Sequence, residues 1–242
     1  MEENINQNQS AVKPFSWWER LKYVFISPSK AFENIKEHPR VLFPMLIILI
    51  GMLAITVPRL NMMKELLRDT YIQQYAQSGV EVTEGFIDNM VMGGIVGAIV
   101  GPIIGAVVVW LVKSALINAF SGFVNGTGTF KQALSVITYS YFPVFLGNII
   151  ITIILLITKQ SNIITSLAVF LPDSQAGTFL YAILANLDIF VIWYQILAII
   201  GISKVYSISK KSSSILVLGT WFIYILIISG LGSLGAMALG IA

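Results

Sequence analysis

The stretch Met90–Phe123, MVMGGIVGAIVGPIIGAVVVWLVKSALINAFSGF, decides the fold class, because its only charged side chain is Lys113. A membrane-crossing helix needs about 20 consecutive apolar residues, and this run exceeds that. As a helix it would extend on the order of 50 Å at 1.5 Å per residue. That is more than one straight crossing uses, so the segment must tilt, break near Pro102, or project into the cytoplasm.

Four more apolar runs flank it, at about 41–60, 133–157, 179–202 and 215–242. Whole-chain composition agrees with this reading. Of 242 residues, 56% are hydrophobic and 11% charged, with a mean hydropathy of +0.82, whereas soluble domains carry roughly 25% charged residues. There is too little charge to coat a water-facing surface. The expected fold is therefore all-α, a polytopic membrane helix bundle with five transmembrane helices, preceded by interfacial amphipathic helices.

Basic residues set the orientation, since lysine and arginine accumulate beside cytoplasmic ends. With the N-terminus inside, Lys13, Arg20, Lys22, Lys30, Lys36, Arg40, Lys131, Lys204, Lys210 and Lys211 lie on the cytoplasmic side. Arg59, Lys64, Arg68 and Lys159 lie opposite. Ten against four predicts N-in and, with an odd number of spans, C-out. The first forty residues hold no uninterrupted apolar run of signal-peptide type.

The same composition bears on chemistry. With no cysteine and a single histidine, His38, disulfides, thiolate nucleophiles and multi-histidine metal sites are not expected. No GxxxxGK[ST], GxGxxG or GxSxG string occurs, and the spans hold one aspartate and no histidine, so neither a nucleotide site nor intramembrane proteolysis is indicated. We expect no enzyme, cofactor or metal. The net charge of +3 and pI near 9.0 come from residues beside apolar spans. They point to orientation and anionic lipid rather than nucleic acid.

Residues 1–14 read as a disordered cytoplasmic N-terminus, 15–39 as interfacial amphipathic helices, and 40–242 as the membrane domain. FSWWERLKYVF mixes aromatic and basic residues as a helix in the headgroup plane does. Ser27-Pro28 reads as the start of a second helix, which Pro39 stops. Beyond the first span, Leu60, Met63 and Leu67 with charges between them predict an amphipathic helix ending at Gly79, followed by an acidic loop. Residues 163–171 are too short to span and read as interfacial or re-entrant.

Two features inside the membrane stand out. Gly93, Gly97, Gly101 and Gly105 recur at four-residue spacing, and such a row permits the close backbone approach on which helix association in lipid relies. Its expected partner is another span of this chain, with a second copy or another protein as alternatives. Lys113 and Asp188 are the ionisable residues deepest within spans, and such groups are functional suspects by default. On an ideal helix Asp188 shares a face with Tyr181 and Gln195. Three readings stay open: a structural Lys113–Asp188 pair, Lys113 reaching toward the cytoplasmic face, or an ion pathway.

Three strings together resemble the Yip family of Ypt- or Rab-interacting membrane proteins, and more closely its short bacterial branch. They are SPSKAFENIKEHPRVLFP, GTFKQALSVITYSYFP and LDIFVIWYQILAIIGISKVYSISKKSS. The matching positions are Pro28, Phe32, Phe130, Pro143, Asp188, Phe190, Trp193 and Gly201. The resemblance implies five spans and no catalytic residues. For bacterial members it implies an accessory role beside other membrane proteins, some being ABC-type exporters that confer resistance to peptide toxins. The expected function is a non-enzymatic membrane scaffold whose partners are membrane lipids and other integral membrane proteins, ABC transporter subunits among them, or a second copy of the chain. The rival is a small membrane carrier or lipid-handling protein using a polar stripe around Asp188. The expected site is the bacterial cell membrane.

Overall fold

The computed structural model describes residues 13–160, 163–172, 175 and 178–238. Among them the secondary structure is helical apart from one isolated antiparallel bridge between Ser166 and Asp188.

Helix α1 (Trp17–Ile26) opens with a capping box. The Glu19 amide donates to Ser16 Oγ at 3.2 Å, and the Ser16 amide donates to Glu19 Oε2 at 2.8 Å. This satisfies two amides that no helical carbonyl can reach. Trp18 and Ile26 remain exposed on its outer face. Its Arg20 is fully buried and donates from Nη1 to the His38 carbonyl at 2.7 Å, where a cation complements the C-terminal end of α2 (Pro28–Glu37). Burial lowers the Arg20 pKa from its ordinary value, although a guanidinium stays protonated.

Helix α2 departs from the expectation for residues 15–39. It does not lie free in the headgroup plane: Ala31, Phe32 and Ile35 are wholly buried, packed on α9 (Ile189–Val205) and α6 (Phe130–Ser140). Burying side chains the size of Phe32 and Ile35 stabilises by about 1.5–3 kcal/mol each relative to exposure to water. Asn34, also buried, then fastens the preceding chain, its Nδ2 donating to the Lys13 carbonyl at 2.9 Å and its Oδ1 accepting from the Phe15 amide at 3.1 Å. Residues 13 and 14 are thus held against α2 rather than disordered. Residues 1–12 lie outside the described residues.

The first span is α3 (Leu42–Thr56), which passes through a 3₁₀ turn at Val57–Arg59 into α4 (Leu60–Gln77). Pro58 has no amide proton to continue the ladder, which accounts for the turn. Gly79, at φ +66°, ends the path, a conformation glycine adopts without steric cost. The chain then reverses into α5 (Glu84–Phe120), 37 residues long and unbroken at Pro102.

Its surplus length lies beside α4. Arg68 pairs with Asp88, Tyr75 meets Phe86 edge-on at 5.4 Å, and Leu67 and Tyr71 cover Gly94. The projection is thus at the α4 end of α5. An antiparallel helical hairpin makes the excess length stable.

The third span bends at Tyr141 between α6 and α7 (Phe142–Thr158), with Pro143 in the first turn of α7. Eight consecutive residues of α6, Ala133 to Ser140, are buried. This helix is therefore surrounded by protein rather than lipid.

The expected continuous helix over 179–202 is not formed. The chain makes α8 (Phe179–Ala185), leaves the helix at Asn186–Asp188, and restarts as α9. The Leu187 carbonyl accepts from the Leu167 amide at 3.2 Å, so the 3₁₀ turn at Leu167–Phe170 holds the break open. Within residues 163–171 the helical part is thus the short 3₁₀ turn Leu167–Phe170, and Leu171 leaves it in an extended conformation. The last helix is α10 (Lys210–Ala238).

Among the described residues, four helical units are long and apolar enough to cross a membrane: Leu42–Gln77, Glu84–Val124, Phe130–Thr158 and Lys210–Gly232. The shorter apolar α9 has 17 residues, a rise of about 26 Å against a hydrocarbon core of about 30 Å. The architecture is an all-α polytopic helix bundle in which α9 is central, touching α2, α6, α7 and α10.

Candidate functional site

The buried stripe of α5 runs through Ala106, Trp110, Lys113, Ser114 and Ile117, spaced three and four apart as one helix face requires. Lys113 therefore points into the bundle. Its residue is 7% exposed, and Nζ donates to Gln195 Oε1 at 2.6 Å, that glutamine being 3% exposed. The same Nζ lies 4.5 Å from the ring centroid of Tyr194, a cation–π contact strengthened where water is absent.

Asp188 is elsewhere. It is the N-cap of α9, its Oδ1 accepting from the amides of Phe190 at 2.8 Å and Val191 at 3.3 Å. Its Oδ2 accepts from Thr165 Oγ1. Gln195 is seven residues further on, about 10 Å along the axis. The Lys113–Asp188 pair is thus replaced by Lys113–Gln195, because a carboxylate at a helix N-terminus is already held by amides and the helix dipole. Tyr181 belongs to α8, beyond the break, and does not extend a polar stripe through Asp188 and Gln195.

The glycine row faces outward. Gly93, Gly97, Gly101 and Gly105 have no neighbour within 4 Å of where a side chain would begin, so among the described residues no other span packs there. Close packing on glycine occurs at other positions. A methyl on Gly51 would overlap Phe145, one on Gly147 would overlap Phe190, and one on Gly201 would overlap Val136 and come 3.0 Å from Phe32.

Most of the family-pattern residues reside at these crossings and helix starts. Phe32 sits over Gly201 and Phe190 over Gly147. Trp193 meets Phe25 edge-on at 5.6 Å, Pro28 and Pro143 occupy first turns, and Phe130 begins α6.

Lys113, Gln195 and Tyr194 border a cavity of about 800 Å³. Its walls come from α3, α5, α7, α9 and α10, and its polar lining includes Arg59, Tyr141, Asn148 and Asn186. Sequence reasoning picked out Lys113 and Gln195 but not Tyr194 or Arg59. An aromatic inside an apolar helix gives no local signal, and Arg59 reads as a residue flanking a span. Among the described residues no group of three or more His, Cys, Asp or Glu side chains could hold a metal.

Comparison with known proteins places these observations. A family model described as the Yip1 domain matches residues 22–231. The chain is 30% identical over 240 residues to the membrane protein YknW of Bacillus subtilis (strain 168), covering 93% of this chain and 94% of that protein. No solved structure matches it. With four helices able to cross a membrane and a fifth, shorter apolar helix at the centre, the chain is a multi-pass integral protein of a bacterial membrane and belongs to the Yip1-domain family.

Proposed function

We propose that this protein is a non-enzymatic membrane accessory subunit that assembles side by side with another integral membrane protein through the outward face of α5. The family resemblance implies a subunit of an ABC-type exporter as that partner, in a system protecting the cell from toxins. The observation that carries the reading is the contrast between two sets of glycines. Gly51, Gly147 and Gly201 each receive a neighbouring side chain, whereas Gly93, Gly97 and Gly101 receive none. Lipid gives little hydrophobic drive for helix pairing, so close backbone approach over small residues is the main source of affinity. A non-catalytic role is supported by what the intramembrane polar groups do: Lys113 and Gln195 bind each other, and Asp188 caps a helix.

Affinity purification from native membranes in mild detergent tests this. Wild type should retrieve a stoichiometric membrane partner, and Gly97→Ile should lose it while remaining monodisperse. Ile150→Leu, on the exposed face of α7, should retain it. Recovery of a lone monomer under every gentle condition, or full retention by Gly97→Ile, would refute assembly through this face.

A further inference from the structure

We infer that the cavity beside Lys113 is a binding site for one membrane amphiphile carrying an anionic head group, with the head on Lys113 and the chain along α5. The volume, about 800 Å³, lies in the range of organic-ligand sites. On α5 its lining runs from Ala98 to Leu116, about 27 Å along the helix. The wall is mainly apolar, with valine and isoleucine its commonest residues, as an alkyl chain requires.

The position of the mouth identifies where the occupant comes from. The lining residues that are also exposed are Pro102, Gly105, Val108 and Val112 on α5 and Ile223, Ile227 and Ile228 on α10. The cavity therefore opens sideways between these two helices, at the depth of their apolar segments. A ligand enters from the bilayer, not from water.

Charge identifies the head group. The described lining holds two cations, Arg59 and Lys113, and no carboxylate. Arg59 is half-exposed, whereas Lys113 is buried and spends one of its three donors on Gln195. Burying an ammonium without an anion is costly, and a neutral glutamine offsets only part of that cost. Beside it the Tyr194 hydroxyl, on a residue 5% exposed, has no hydrogen-bond partner among the described residues. A carboxylate or phosphate at this place receives two N–H donors and balances the charge. Gly105 is the one residue shared between this lining and the glycine row, and the site is assayed on the isolated chain, so its failure and the failure of lateral assembly are distinguishable.

The test is native mass spectrometry of the full chain in mild non-ionic detergent. Phosphatidylglycerol, phosphatidylcholine of the same acyl chains, and oleate are added separately. One phosphatidylglycerol or one oleate should be retained per chain, at least about tenfold more tightly than phosphatidylcholine, as expected for a charge-assisted hydrogen bond. Retention of phosphatidylglycerol alone assigns the head to a phospholipid, and retention of oleate alone to a free fatty acid. Lys113→Gln should abolish the preference for the anion and Lys113→Arg should keep it. Val109→Trp, which fills the cavity wall and keeps the charge, should lower occupancy by every probe. It also provides the test if Lys113→Gln does not fold. Equal retention of charged and zwitterionic lipid, an undiminished preference in Lys113→Gln, or full occupancy in Val109→Trp overturns the inference.

Discussion

The Lys113–Gln195 contact makes a prediction in which two substitutions should largely cancel. Gln195→Leu removes the acceptor at 2.6 Å and leaves a buried ammonium with only the Tyr194 ring. Leucine nearly matches glutamine in volume, so no cavity term intrudes. A hydrogen bond to a charged group is worth about 1.5–3 kcal/mol, and the ring at 4.5 Å retains part of the stabilisation. The expected loss is about 2 kcal/mol. Lys113→Met alone strands the Gln195 amide, costing about 1–2 kcal/mol. The double variant puts methionine against leucine and should lie within about 1 kcal/mol of wild type, since replacing both members of a buried polar pair is often neutral. The assay is reversible unfolding by SDS in mixed micelles without added lipid, followed by tryptophan fluorescence. Additive losses in the double variant would refute the pairing, as would a neutral Gln195→Leu.

Other consequences are equally direct. Gly201→Val should destabilise by about 1–3 kcal/mol through overpacking against Val136 and Phe32. By contrast Gly219→Ala, where nothing lies within 4 Å, should be neutral or gain up to about 1 kcal/mol of helix propensity; the same unfolding assay reads both. Asp188→Ala should cost about 1 kcal/mol as a lost N-cap, and Asp188→Asn much less because asparagine caps as well. Equal losses in the two variants would show that its charge rather than its capping matters. The chain has no cysteine, so single cysteines at Ser78 and Ser212 report orientation directly. The N-in arrangement expects an impermeant thiol reagent to reach the first in intact cells but not the second, and the reverse pattern excludes it.

Much of the fold was legible because its signals are local. The start of α2 at Pro28 and the end of α4 at Gly79 match the turn chemistry read from those residues. Lys113 and Gln195 were also recognisable as polar groups in apolar runs. Their meeting was not, because Asp188 offered a better electrostatic partner on paper. The break at Asn186–Asp188 had no marker of the usual kind, neither proline nor glycine. It is held by the Leu167 amide and the Ser166–Asp188 bridge, groups about twenty residues away. Likewise the apolar face of α2 is equally consistent with lipid or with protein, and the groove at Gly201 decided for protein.

Taken alone, the sequence determined that lipid surrounds this chain and roughly where its helices run, because hydropathy is a sum over neighbours and needs no partner to be evaluated. Tertiary structure alone decided which polar groups touch, which glycines are covered, and that a cationic cavity lies between α5 and α10. Those outcomes depend on how separate helices are rotated against each other. One residue of register turns a side chain through about 100°, and no local property of the sequence reports that angle.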